Sequence, residues 1–316
     1  MIAVSIPCYR VKKQILSVIE EIPREVGKIY VVDDACPENS GAWVREKCKD
    51  PRVRVIVLDK NRGVGGATMA GFAAALADNA TIVVKLDGDG QMAPSEIPRL
   101  VRPIQQGHAD YTKGNRFYSL SHLGSMPRIR LLGNSVLSFV SKMASGYYRT
   151  MDPTNGFIAI HTQVLSLLST ESIAKRYFFE SDMLYQLNIV RAVITDIPMP
   201  ARYGDEKSNL RISRVALSFP LQYLWCFTKR IFYNYFLRDF NIGSAQLIAG
   251  LVLFVAGAVF GTNQWLTNSS MGVATPTGTI MLAILPMIVG FQLLLSALNY
   301  DILNEPRVTL HKLLES

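Results

Sequence analysis

The chain is 316 residues long, 49% hydrophobic, and carries a formal net charge of +8; its mean hydropathy of +0.19 is high for a purely soluble protein. That length allows one large domain with something smaller, or two modest domains, and the positive charge leaves nucleic acid, anionic lipid or a phosphorylated substrate open as partners. The four cysteines, Cys8, Cys36, Cys48 and Cys226, include no C-x-x-C pair and no histidine stands at zinc-ligand spacing from them, so free thiols in a reducing cytosol are expected.

Met1-Ile2-Ala3-Val4-Ser5-Ile6 has neither the basic flank nor the apolar length of a signal peptide, which predicts a cytoplasmic start. Residues 2–6 read as a first strand closed by Pro7. Residues 11–22 carry apolar side chains at Ile15, Leu16, Val18, Ile19 and Ile22, a helical period ended by Pro23. A second strand is expected over 28–32, a helix over 41–49 and a third strand over 53–58. An Ala- and Gly-rich helix packed closely on the sheet follows over 63–77, then a fourth strand over 81–86. Strands alternating with helices imply an α/β fold with a largely parallel sheet covered on both faces.

Chemistry-bearing residues gather where these strands end. Lys85-Leu86-Asp87-Gly88-Asp89-Gly90-Gln91 closes the fourth strand. Two carboxylates one residue apart put hard oxygen ligands at the rim of a sheet, as Mg²⁺ or Mn²⁺ holding a diphosphate requires; a solvated Asp/Gly turn is spelled the same way. Ligands of open α/β sheets sit at such strand ends. Asp33-Asp34, after the second strand, could accept hydrogen bonds from a nucleobase or ribose, or form an Asx turn or helix cap. Asn61-Arg62-Gly63-Val64-Gly65-Gly66-Ala67 opens a helix, where clustered glycines let backbone N–H groups approach a phosphate. A dinucleotide fold is disfavoured: its G-x-G-x-x-G pattern would need glycine at Thr68 and should follow the first strand, not the third. His108, His122, His161 and His311 have no mutual spacing that points to a metal.

Pro7-Cys8-Tyr9, Val31-Val32-Asp33-Asp34, the turn over 61–67 and Asp87-Gly88-Asp89-Gly90-Gln91, in that order and spacing, resemble glycosyltransferase family 2. The whole chain looks most like its polyprenyl-phosphate branch, of the dolichol-phosphate mannose synthase type. The resemblance implies a GT-A fold, a nucleotide-sugar donor, Mg²⁺ or Mn²⁺, and a polyprenyl-phosphate acceptor. Carried over residue by residue, Pro7, Asp33, Asp34, Asn61, Gly63 and Asp87 would bind the nucleotide sugar. Asp87, Asp89 and Gln91 would stand at the metal. Arg116, in Lys113-Gly114-Asn115-Arg116-Phe117, would lie near the phosphates, a surface salt bridge being its alternative. Asp152 and Asn155, in Asp152-Pro153-Thr154-Asn155-Gly156-Phe157, resemble the acceptor-side turn. Glu180 and Asp182, in Phe178-Phe179-Glu180-Ser181-Asp182, resemble the block facing the sugar, where either could act as a base or as a positioning group. The catalytic set implied is Asp89, Gln91, Arg116 and Asp182, with Glu180 and Arg211 on the acceptor side.

Two departures stand out. The family's Asp-Asp-Gly-Ser is Asp33-Asp34-Ala35-Cys36 here, and its late Arg followed by Gly-Glu-Ser-Lys becomes Arg202-Tyr203-Gly204-Asp205-Glu206-Lys207-Ser208. Arg202, Lys207 and Arg211 are therefore all candidates for the cation on the diphosphate. The Gln-x-x-Arg-Trp block of polysaccharide synthases is lacking; Gln222-Tyr223-Leu224-Trp225 comes nearest and has no arginine.

Between residues 240 and 300 there is no Asp, Glu, Lys or Arg. Residues 242–261 and 279–298 are each long enough to span hydrocarbon, joined by a polar connection over 262–278. Pro286 is placed to kink the second. Lys229, Arg230 and Arg238 precede the first span and Arg307 and Lys312 follow the second, which puts both flanks in the cytoplasm. Residues 211–240 mix basic side chains with Phe219, Tyr223, Trp225, Phe232 and Tyr235, as helices at the headgroup level do; packing on the catalytic domain is the alternative. Headgroups and phosphates thus account for the positive charge, and no nucleic acid is required. The expected organisation is a GT-A catalytic domain over 1–210, a Rossmann-like mostly parallel sheet with flanking helices. Amphipathic interface helices over 211–240, a two-helix transmembrane hairpin over 241–300 and a cytoplasmic tail over 301–316 complete it, with a homo-oligomer left open. The activity expected is inverting transfer from a nucleotide sugar to a polyprenyl phosphate at the cytoplasmic leaflet. Transfer to a lipid or glycan hydroxyl, and a degenerate membrane scaffold, are the rivals.

Overall fold

A computed structural model of the chain describes residues 1–118, 128–199 and 212–314. It contains two compact units, Met1–Phe227 with Pro306–Ser316, and Thr228–Glu305.

The first unit is built on β1 (Ile2–Cys8), β2 (Val26–Asp33), β3 (Val53–Val57), β4 (Ile82–Lys85), β5 (Tyr111–Asn115), β6 (Ile158–His161) and β7 (Ile194–Pro198), in the order β3-β2-β1-β4-β6-β5-β7. β1 pairs in parallel with β2 and β4, as do β2 with β3 and β5 with β7, while β6 runs antiparallel to both neighbours. Helices α1 (Ile15–Glu20), α2 (Ser40–Lys47) and α3 (Gly63–Ala77) fill the first three crossovers, and α4 (Ile97–Gln105) follows β4. α5 (Arg128–Ser145), α6 (Thr162–Leu167) and α7 (Phe179–Ile189) lie in the second half. This is the mostly parallel, doubly covered sheet expected.

Burial explains the layers. β4 and the inner part of β1 are buried on both faces, which is why they read as unbroken apolar runs. On one face Ile15, Val18, Val44, Leu100 and Ile104 pack against the sheet; on the other, Phe72, Ala75, Phe179, Met183 and Leu187 do so. α3 lies so close that a Cβ on Gly71 would sit 2.0 Å from Ser5 Oγ. The chain steps outward from β1 to β3 and then returns past β1 to β4. Their carboxyl ends diverge at that switch point and leave a crevice.

Two local expectations are corrected. Pro7 does not close β1 but lies within it. β4 pairs with β1 only as far as Ser5 opposite Lys85, so no acceptor on that side needs the N–H that proline lacks. α1 begins at Ile15, because the Val11 carbonyl accepts the N–H of both Gln14 and Ile15 in a tight preceding turn.

The stretch expected as a tail is partly structural. Asp110, fully buried before β5, accepts N–H bonds from Val193, Leu310 and His311, and its Oδ1 lies 2.6 Å from His311 Nδ1. The His311 ring stacks on His161 at 4.5 Å. α8 (Ile212–Phe232) packs Phe219, Tyr223 and Cys226 around Phe178 and Ala144, as the packing alternative has it. Leu221, Leu224 and Trp225 stay exposed on the same helix, the apolar face an interface helix needs.

In the second unit, a π-helical turn (Tyr233–Arg238) leads to α9 (Ile242–Ser270) and α10 (Thr277–Leu303). At about 1.5 Å per residue each reaches roughly 40 Å, enough to cross a bilayer. Only 22% and 17% of their most apolar windows are buried, whereas a soluble core helix would be mostly covered. α9 runs nine residues beyond the expected span, through Thr267 and Ser270, whose hydroxyls donate to the carbonyls of Asn263 and Thr267. Gly243, Gly250 and Gly257 on α9 and Ala283, Gly290 and Ala297 on α10 are buried at seven-residue spacing. A Cβ on Gly290 would lie 2.6 Å from Phe254 N, so small residues set how closely the helices approach. Arg230 donates two 2.7 Å bonds to Asp301, which also accepts from Tyr235.

Candidate active site

The crevice at the switch point is a cavity of about 430 Å³. β1 contributes Pro7 and Cys8, the loop after β2 Asp34, the loop after β3 Asn61, and the loop after β4 Asp87 and Asp89. Arg176 and Tyr177, just before α7, close the remaining side. Five of the expected residues thus meet around one space because four strands end there. Arg176 and Tyr177 escaped sequence reading, since an exposed loop carries no periodic signal.

The Asp33-Asp34 pair divides. Asp33 is buried; its Oδ1 accepts Cys36 N at 2.7 Å and its Oδ2 accepts Gly41 N at 2.6 Å, which is the turn-and-cap alternative. Asp34 lines the cavity, and its carboxylate accepts the backbone N–H groups of Arg62 at 2.6 Å and Gly63 at 2.8 Å. Gly63 has φ +78, and a Cβ there would lie 2.6 Å from Lys175 O, so the turn admits only glycine without strain. Asn61 donates its side-chain amide to Asp34 O. Asp34 therefore shapes the glycine turn. Ala35, where the family spelling has glycine, takes a left-handed φ of 50. Cys36, in the serine position, accepts Arg10 N at its sulfur. Burial pushes the Cys8 thiol up to about 12, with Asp33 adding to it, so it stays protonated beside the cavity. All four cysteines are free.

At the end of β4 the Lys85 ammonium is fully buried and donates to Asp87 Oδ1 at 2.8 Å, Gly156 O at 3.3 Å and Glu180 Oε1 at 3.3 Å. Burial alone would lower the lysine, but Asp87 and Glu180 outweigh it and hold it protonated. Burial raises Glu180, against the pull of Lys85. A Cβ on Gly156 would fall 2.3 Å from Lys85 Nζ, so the turn before β6 can close on this cluster only as glycine. Asp89 Oδ1 accepts the backbone N–H of Gln91, whose residue is exposed.

Arg116 and Asp152 form a bidentate pair at 2.7 and 2.8 Å, with the Asp152 side chain fully buried and that of Arg116 32% exposed. It is a salt bridge, as the alternative has it, though around a buried carboxylate, and Arg116 does not line the cavity. Burial would raise Asp152, but the guanidinium holds it below the ordinary carboxylate range. Asn155 Nδ2 donates to the same carboxylate and Asn155 Oδ1 accepts Phe157 N, so both acceptor-side residues shape their own turn. Lys113, also fully buried, donates to the carbonyls of Met151 and Asp152, and burial lowers it. Asp182 Oδ2 accepts Ala174 N at 2.7 Å and does not line the cavity. Arg202, Lys207 and Arg211 lie outside the described residues.

The donor set has a clear chemical preference. Asp87 and Asp89 are half-buried on one wall of the cavity, and no cluster of three or more His, Cys, Asp or Glu suited to a metal occurs among the described residues. Two hard carboxylates fit a Mg²⁺ or Mn²⁺ whose other ligands are diphosphate oxygens and water, and do not fit a closed structural zinc site.

The sequence model described as "Glycosyl transferase family 2" matches residues 3–168. The chain is 30% identical over 237 residues to a UDP-N-acetylglucosamine–dolichyl-phosphate N-acetylglucosaminyltransferase of Methanococcus voltae, covering 71% of this chain and 94% of that one. It is 28% identical over 192 residues to an undecaprenyl-phosphate mannosyltransferase of Micrococcus luteus, covering 57% and 78%. Among solved structures, glucosyl-3-phosphoglycerate synthase of Mycobacterium tuberculosis with Mn²⁺, UDP-glucose and phosphoglyceric acid superposes with a TM-score of 0.53 at 18% identity, over 73% of this chain and 79% of that one. That last likeness speaks to the fold alone, which is of the GT-A kind.

Proposed function

The chain belongs to glycosyltransferase family 2, and on that premise we propose that it transfers a sugar from a nucleotide-sugar donor to a polyprenyl phosphate at the cytoplasmic face of a membrane. The observation that carries the reading is the cavity in which Asp87 and Asp89 face Pro7, Asp34 and Asn61. The acceptor class is supported by relatives named as dolichyl- and undecaprenyl-phosphate transferases and by two helices apolar enough to span a bilayer.

The donor's nucleotide occupies the cavity against the Asp34-braced glycine turn, with its diphosphate toward Asp87 and Asp89. Asp87 and Asp89 would hold a divalent cation there, which when bound would offer positive charge to the departing diphosphate. The reaction breaks the bond from sugar C1 to the diphosphate and forms one from C1 to an acceptor phosphate oxygen, in a single displacement with inversion. A phosphate monoester is already ionised near neutral pH, so no proton need be removed. Glu180, paired with Lys85, and Asp182, bonded to Ala174 N, have structural partners that suit a mechanism without a general base. Lys229, Arg230, Arg238, Arg307 and Lys312 flank the apolar helices and favour a cytoplasmic site.

The test is a panel of labelled nucleotide sugars with purified chain in nanodiscs. Dolichyl phosphate, undecaprenyl phosphate and the matching alcohols serve as acceptors. The expected product is one glycosylated lipid phosphate, lost in EDTA and restored by Mn²⁺ or Mg²⁺. It is also lost in Asp89→Asn with the fold retained. Transfer to the alcohols alone would overturn the reading, and full turnover in EDTA would remove the metal.

A further inference from the structure

Three elements converge on the Lys85 ammonium. β4 supplies the lysine and leads directly into Asp87, the turn before β6 supplies the Gly156 carbonyl, and the first turn of α7 supplies Glu180. A lysine with no exposed surface is costly unless every donor has work. Here its three N–H groups meet three acceptors, and the cluster fills the space that a side chain at Gly156 would need: a Cβ there would lie within 3.2 Å of Lys85 Nζ, Asp87 Oδ2 and Glu180 Oε1 at once. The lysine bonds only one oxygen of Asp87, Oδ1. Asp87 itself lines the cavity, and Lys85 does not.

Resting on the proposed donor site, we propose that Lys85 is a positioning residue. It fixes the Asp87 carboxylate by one oxygen so that the other is presented to the divalent cation, and it ties that carboxylate to Glu180 on the acceptor side. Removing it frees the Asp87 rotamer and leaves Glu180 buried without its cation. Partners that orient a metal-binding carboxylate are typically worth about 10–100-fold in metal affinity, so Lys85→Met should weaken Mn²⁺ by that factor.

The experiment titrates Mn²⁺ alone into the full chain in detergent and reads free Mn²⁺ by EPR, beside thermal unfolding. Lys85→Met also strands a charge on Glu180, so Lys85→Met/Glu180→Gln is measured with it. Loss of 10–100-fold in Mn²⁺ affinity in both variants, with the double variant regaining thermal stability, supports the positioning role. A merely structural lysine would have the double variant recover both. Wild-type Mn²⁺ affinity in a folded Lys85→Met overturns this inference and leaves the donor site standing. Failure of the wild-type chain to bind Mn²⁺, both alone and with added UDP or GDP, overturns both.

Discussion

Replacing Arg116 by Met removes the guanidinium from a carboxylate whose side chain has no exposed surface. Asp152 would keep only the Arg116 backbone N–H at 3.2 Å and Asn155 Nδ2 at 3.3 Å. Breaking a buried ion pair from one side costs about 3–5 kcal/mol. With Arg116 32% exposed and partly screened, the lower end applies, about 3 kcal/mol. For a unit of this size that is roughly 6–12 °C in melting temperature. The pH dependence has a definite sign. In the wild type, burial would raise Asp152, but Arg116 overcomes it and holds the carboxyl below its ordinary 3.8. The pair's stabilisation is therefore complete above that value and is lost as pH falls through the lower folded-state pKa. In Arg116→Met only Lys113 and the backbone N–H of residue 116 are left to oppose burial and the folded-state pKa moves upward, so the variant recovers stability as pH falls. Thermal unfolding in detergent between about pH 7.5 and pH 4.5 should show the widest gap at neutral pH, narrowing toward acid. A gap under about 1 °C, or one that does not change with pH, would refute the claim that this pair braces the turn over 152–157.

Two further substitutions test the same frame. Asp196 accepts Met151 N and Asn115 Nδ2 on Oδ2 and nothing on Oδ1, and burial pushes it up to about 6. Its charge thus penalises folding above that pH, and the penalty fades as pH falls toward the unfolded value. Asp196→Asn keeps both bonds and should gain about 2 kcal/mol near pH 7.5, less than two full pKa units would give because the residue is only half-buried, with no gain near pH 4; equal melting at both pH values would count against it. Asp110→Asn turns one acceptor face toward two N–H donors, at a cost of about 2–6 kcal/mol for two stranded groups. Trypsin should then cut at Arg307 at least tenfold faster, and an unchanged cutting rate would show that Asp110 does not hold the 309–311 segment.

The sheet was legible as far as β4 because each early strand is a short β-branched run bounded by a helix or a turn. Past that point the signals thin. β6 runs antiparallel between β4 and β5, and nothing in Ile158-Ala159-Ile160-His161 records direction. The cavity was legible where its residues stand at strand ends, as Asp34, Asn61, Asp87 and Asp89 do. What the resemblance could not convey is which oxygen meets what. Arg116 and Asp152 are 36 residues apart, and Asp110 and His311 are 201 apart; such pairs leave no periodic trace. The small residues at seven-residue intervals from Gly243 to Gly257 were present in the sequence but hidden within a helix apolar on every side. Lys85 is different. A charged side chain ending Ile82-Val83-Val84 contradicts the burial that those three residues announce. A strand buried on both faces holds a lysine at bearable cost only if polar acceptors meet it inside. The contradiction alone therefore requires two or more acceptors near the end of β4, and Asp87, Glu180 and the Gly156 carbonyl are what the fold brings to it.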